Sequence, residues 1–198
     1  MNTQDEALLR AVRLVALLNL AYFGVEFAVA RTIGSVSLFA DSIDFLEDTA
    51  VNLLILVALG WSAHRRSLVG MALAAILLVP GISTLWMAWQ KFSVPVAPDA
   101  TLLSLTGLGA MAVNLSCAYL LVRFRKHSGS LTRAAFLSAR NDALGNAAII
   151  AAGLVTAVTD SPWPDLVVGL GIFLMNLDAA HEVYTAARKE RALASASA

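Results

Sequence analysis

The stretch Ser35–Trp61, SVSLFADSIDFLEDTAVNLLILVALGW, decides how this chain is read. Its second half is apolar enough to lie in a bilayer, yet its first half carries Asp41, Asp44, Glu47 and Asp48. Residues three and four apart share a helix face, so Asp41, Asp44 and Asp48 fall on one narrow stripe with Glu47 at its edge. An acidic side chain at the bilayer centre costs about 2.5–3.5 kcal/mol on insertion scales. Several on one face call for a bound cation, so the stretch predicts a cation site inside a membrane bundle.

The rest of the chain supplies the bundle. Of the 198 residues, 59% are hydrophobic, well above the soluble norm of roughly 45–50%, and the mean hydropathy is +0.74. Six apolar segments are long enough to span about 30 Å of hydrocarbon: Ala7–Ala30, Ser35–Ser62, Leu68–Gln90, Thr101–Val122, Leu131–Val158 and Trp163–Ala187. The Gly34 turn makes segments one and two antiparallel neighbours. Pro80 and Gly81 predict a kink in segment three. The expected fold is an all-α membrane protein of six transmembrane helices.

Eleven Lys and Arg residues fall on the side of the termini: Arg10, Arg13, Arg65, Arg66, Arg123, Arg125, Lys126, Arg133, Arg188, Lys189 and Arg191. Only Arg31 and Lys91 fall on the other. That bias places both termini in the cytoplasm and Trp89 and Trp163 at the outer boundary. The balance of 14 basic and 14 acidic residues gives no pull towards nucleic acid. The N-terminus lacks the basic, then apolar, then small-residue pattern of a cleaved signal. Cys117 reads as a small buried hydrophobe, and the tail after Arg188 as a helix end with a short frayed run.

Segment five, LTRAAFLSARNDALGNAAIIAAGLVTAV, interrupts its apolar run with Ser138, Arg140, Asn141, Asp142 and Asn146. Asp44, Asp48 and Asn52 have the same spacing as Ser138, Asp142 and Asn146, 94 residues later. Asn19 and Asn114 precede the two sets by 25 and 24 residues. This predicts a 3+3 inverted-repeat-like bundle, a transporter plan with its site near mid-membrane. Two antiparallel helices offering side chains at i and i+4 can surround one ion. Asp44, Asp48 and Asp142 would give three oxygen ligands, and Ser138 a weaker fourth or a place for water. Three or four ligands suit a small divalent transition metal.

The other polar residues have plainer readings. Glu47 is an acid beside the ligands, a proton carrier, or a stand-in ligand, and Asn141 is a weaker candidate ligand. Arg140, on the opposite face of its helix, is the one intramembrane arginine. It pairs with Glu26 or Glu47, or snorkels inward. Asn19, Glu26 and Asn114 read as interhelical hydrogen-bond partners. Asp160 and Asp165 read as solvated or capping residues of the outer loop. His127 reads as an exposed loop residue or an entry-side metal contact, and Asp178 and His181 as a solvated inner edge.

NLAYFGVEFAVARTIGSVSLFADSIDFLEDTAVNLLILVA resembles the first two helices of the cation diffusion facilitator (cation efflux) family, and SARNDALGNAAIIAAGLV resembles its helix five. The Asp165 region resembles its helix six. The resemblance implies a cation-efflux transmembrane domain over residues 1–190 and a short tail over 191–198, without the usual cytoplasmic C-terminal domain. It implies that Asp44 and Asp48, with Ser138 and Asp142, form the transported-metal site. It implies efflux of a divalent metal by exchange for protons, a homodimer, and no permanently bound cofactor. Ser138 stands where the family usually has His or Asp. An oxygen-only site leans towards manganese, iron, cobalt or cadmium, while zinc also binds carboxylates. The expected location is the bacterial inner membrane, with lipid and the metal ion as partners. The competing reading is a non-transporting paralogue that binds a partner membrane protein. A membrane-embedded enzyme finds no support, since no nucleophile is paired with a histidine base.

Overall fold

The structure is a computed structural model that describes residues 3–58, 82–122, 124 and 129–177, with only the helical backbone over 129–141. Among these residues it is all helical. The helices are α1 (Thr3–Ile33), α2 (Val36–Ala58), α3 (82–93), α4 (Ala100–Val122), α5 (Gly129–Thr159) and α6 (Trp163–Leu177). The expected kink at Pro80 and Gly81 lies outside the described residues, as do His127, Asp178, His181 and the tail.

Among the described residues, three helical stretches are long and apolar enough to cross a membrane: Glu6–Ile33, Ala100–Val122 and Asp142–Thr159. α2 matches them in length but not in charge, because every 18-residue window of it contains all four of its carboxylates. The side chains are arranged inside out relative to a soluble domain. Leu14, Leu17, Leu20, Leu105, Leu115, Leu154 and Val158 are exposed, while Asn19, Glu26, Asp41, Asn114 and Asn146 are buried. An exterior this apolar is matched to lipid, and buried polar groups are matched to one another.

α1 and α2 form a hairpin, as do α4 and α5, and these pairings are more extensive than those of α1 with α4 or α2 with α5. α1 also packs on α4, and α2 on α5. The α1–α2 corner is only Gly34 and Ser35, and Gly34 takes φ +65°, which a residue with a Cβ adopts reluctantly. Asp160 takes φ 47° just beyond α5, and its N–H donates to the Thr156 carbonyl. A short polar side chain tolerates that left-handed corner. α6 rests its Gly169 against the first turn of α2, where an added Cβ would meet the Ser37 nitrogen at 2.7 Å.

Among the described residues, two apolar clusters pack at opposite ends of α1, α2 and α4. One joins Ala30, Val36, Leu38, Phe39, Met87, Leu103, Ile149 and Leu166. The other joins Val12, Val15, Ile55, Cys117, Ala118 and Leu121. Along α1, α2 and α4 the buried Asn19, Glu26, Asp48, Asn52 and Asn114 lie between these clusters. The described parts of these three helices therefore hold a polar layer between two packed apolar clusters.

Candidate metal site

The polar layer is centred on α2, and its acidic stripe divides among neighbours. Asp48 is buried and accepts a hydrogen bond from the Asn19 amide of α1 at 3.4 Å. Asn19 is fixed in turn by the Cys117 thiol of α4, which donates to its carbonyl oxygen at 3.4 Å. Cys117 is thus buried as expected, but it is a donor in the network as well as a small hydrophobe. Asn52 donates to the Asp48 carbonyl within its own helix at 2.8 Å.

Asp41 faces elsewhere. It accepts a hydrogen bond from the Asn146 amide of α5, and the Asn146 carbonyl accepts one from Asn114 of α4 at 3.0 Å. The run Asn114, Asn146, Asp41 ties three helices through the bundle centre. Asn19 and Asn114 are interhelical partners, as their sequence context predicts. Asn52 and Asn146 hold matching places in the proposed repeat but differ in partner: one binds its own backbone, the other bridges helices.

Asp44 lies between the other two acids on α2 and is partly buried. Apart from its removal from water, the main influence on it is the negative charge of Asp142 on α5. The charges of Asp41, Glu47 and Asp48 act less strongly. Two candidate ligands from α2 and α5 thus sense each other across the helix interface. Asp142 and Glu47 are also partly buried. Ser138 and Asn141 lie on helical α5 backbone one turn and one residue before Asp142; their side chains, like that of Arg140, lie outside the described residues. Among the described residues, no three His, Cys, Asp or Glu side chains converge into a ready-made metal cage.

The family model for the cation efflux transmembrane domain matches residues 12–188. The chain belongs to the cation efflux family. This is a family of transporters, so the cation efflux protein described here is an integral membrane protein that moves cations. No curated protein is significantly similar to it.

The sequence missed one part of this cation efflux protein. Asp165, expected to be solvated or to cap the outer loop, is fully buried. Its carboxylate accepts from the Ser35 and Ser37 hydroxyls at 2.6 and 2.7 Å and from the Val36 and Ser37 amides at 3.0 and 3.1 Å. Lys91, expected as an outer-side charge, is buried as well. Its ammonium donates to Asp165 at 2.6 Å and to the Gly34 carbonyl at 2.7 Å. Asp165 therefore caps α2 rather than its own helix. Its charge sits at the positive end of the α2 dipole, beside the N-cap Ser35, whose hydroxyl accepts from the Leu38 amide. The legible signal was Ser-x-Ser at a helix start, together with one aspartate in an apolar segment and one lysine at the end of another. The cluster joins α2, α3 and α6 and fixes the helix that carries the candidate ligands.

Proposed function

We propose that the protein exports a divalent transition metal in exchange for protons, through a site between α2 and α5. Asp44, Asp48 and Asp142 would bind the ion through carboxylate oxygens. Ser138 or water would complete the site, with Glu47 and Asn141 as weaker participants. The observation that carries this reading is that Asp44 of α2 and Asp142 of α5 lie close enough to act on each other's charge across the α2–α5 contact, in a layer of buried polar residues. No ready-made cage is needed, since ligands that must also release the ion gain from closing around it only when it arrives.

Coupling follows from shared ligands. A carboxylate bound to metal cannot hold a proton, so metal binding releases protons and protonation releases metal. Three carboxylates around a divalent ion leave one negative charge, which one retained proton cancels. Exchange then moves protons inward as metal moves outward, across what we take to be a bacterial inner membrane, with a homodimer as the working unit. Oxygen ligands favour manganese, iron, cobalt and cadmium, with zinc also accepted.

The test is metal uptake into proteoliposomes under an imposed pH gradient. Zinc, cadmium, cobalt, manganese and iron(II) are compared, with wild type set against Asp48→Ala and Asp142→Ala. Gradient-driven flux that both substitutions abolish is the expected result. Folded protein that carries none of these metals would overturn the reading and favour a partner-binding role.

A further inference from the structure

A second pair of acids lies in the polar layer, and the proposed metal site does not use it. Glu26 of α1 is fully buried, and among the described residues neither of its carboxylate oxygens has a hydrogen-bond partner. Asp41 of α2, 1% exposed, lies within hydrogen-bond reach of it. The groups around the pair offer no positive charge among the described side chains. From α1 comes Tyr22, whose hydroxyl is already given to the Thr106 carbonyl of α4 at 2.7 Å. From α2 come Asp44 and Asp48, and from α5 comes Asn146, which donates to Asp41. Lys91 is bound to Asp165 at the α1–α2 corner.

Two ionised carboxylates cannot hydrogen-bond to each other, because each only accepts. Two negative charges this deep, with no cation and no donor on one of them among the described side chains, have no compensation there for lost hydration. One proton changes the arrangement. It turns one carboxyl into a donor and the repulsive contact into a charge-assisted O–H···O bond, which is short and strong. The single amide bond from Asn146 then orients the acceptor, Asp41.

We propose that Glu26 and Asp41 form a second cation position whose occupant is a shared proton, given up when metal enters beside it. The inference rests on the metal reading above. Asp44 and Asp48 act electrostatically on Glu26 and Asp41 respectively, so a divalent ion held by them presents its positive charge to the pair. The bond that breaks is the O–H of the carboxyl. The proton leaves to solvent, and the pair's charge goes from −1 to −2 as the neighbouring site gains +2. The pair is thus a proton store separate from the metal's own ligands.

The decisive variant is Glu26→Gln, which keeps the shape and supplies an amide N–H towards Asp41 in place of the proton. Two measurements are made on the purified full-length protein. The first is the infrared band of protonated carboxyl groups, without metal, at neutral pH. Wild type should show a buried protonated carboxyl that Glu26→Gln lacks; identical spectra would overturn the proposal, whether or not the protein binds metal. The second is calorimetric titration with zinc, cadmium, cobalt and manganese salts in buffers of different ionisation enthalpy, which counts protons released per ion. Glu26→Gln should release about one proton fewer per metal ion than wild type; an unchanged count would overturn the proposal. Loss of metal binding in wild type would instead refute the metal reading, leaving the infrared result to decide the pair. Should Glu26→Gln not fold, Asp41→Asn is read in the same two ways.

Discussion

Removing the Lys91 ammonium tests whether the buried cluster at the start of α2 holds the bundle together. Lys91→Met keeps most of the side-chain volume and deletes two bonds, at 2.6 Å to Asp165 and 2.7 Å to Gly34. Breaking a buried ion pair by removing one partner costs about 3–5 kcal/mol, since the other charge stays behind unpaired. Here the carboxylate keeps four donors, two hydroxyls and two amides, and the α2 N-terminus adds roughly 0.3–1 kcal/mol of favourable field. The cost therefore falls at the low end, ~3 kcal/mol. Asp165→Asn should cost more, ~4–5 kcal/mol. It removes the charge that four donors and one ammonium converge on, and it leaves the lysine with only the Gly34 carbonyl. At roughly 2–4 °C per kcal/mol for a chain of this size, Lys91→Met lowers the melting temperature by about 6–12 °C. The assay is thermal unfolding of detergent-solubilised protein for both single variants and the double variant. The double variant should cost clearly less than the sum of the singles, because neither charge is left alone. A loss below about 1 kcal/mol for Lys91→Met, or strict additivity, would refute the assignment of the pair as a staple.

Two further outcomes follow from packing and from ligand chemistry. Gly169→Ala drives a methyl group against the Val36 and Ser37 backbone, which cannot rotate away, and should cost about 1–3 kcal/mol. Gly145→Ala meets nothing within 4 Å and should be neutral or stabilising by up to ~1 kcal/mol; equal melting temperatures for the two variants would contradict the close α2–α6 approach. Ser138→Asp adds a carboxylate one turn before Asp142, and should tighten divalent metal binding in calorimetry by about tenfold, ~1.4 kcal/mol. Unchanged affinity would place residue 138 away from the ion.

The helices were legible because each span has to carry its own hydrophobic signal. A transmembrane helix must satisfy its backbone internally and face lipid over about 20 residues, so length and hydropathy suffice to find it. The hairpin of α1 and α2 followed from a link too short for any other course. The acids of α2 were legible as exceptions within such a span. Their partners were not, because a helical stripe some 60° wide still presents its members to different neighbours. Asp41 turns to Glu26 and Asn146, Asp48 to Asn19, and Asp44 senses Asp142. Spacing along one helix states which residues share a face. It does not state which of two adjoining helices that face divides between.

Lys91 and Asp165 carry the same lesson in the opposite direction. Each stands at the end of an apolar segment, where a charge reads as belonging to water. Only the meeting of α2, α3 and α6 at one corner shows that the two neutralise each other. That pairing also bears on the candidate site. It anchors the first turn of α2 to its neighbours through six hydrogen bonds from three elements. Asp44 and Asp48 lie two and three turns further along. A conformational change that opens the polar layer at that end must either break this cluster or carry α2, α3 and α6 together as one body. The number of bonds favours the second course. The movable contacts are then among those α2 makes with α1 and α5, which include a carboxyl pair with Glu26, a bond from Asn146 and a long bond from Asn19. All three involve acids that metal or protons can address. The face of α2 whose contacts protons or metal can change is therefore the face that carries the proposed ligands.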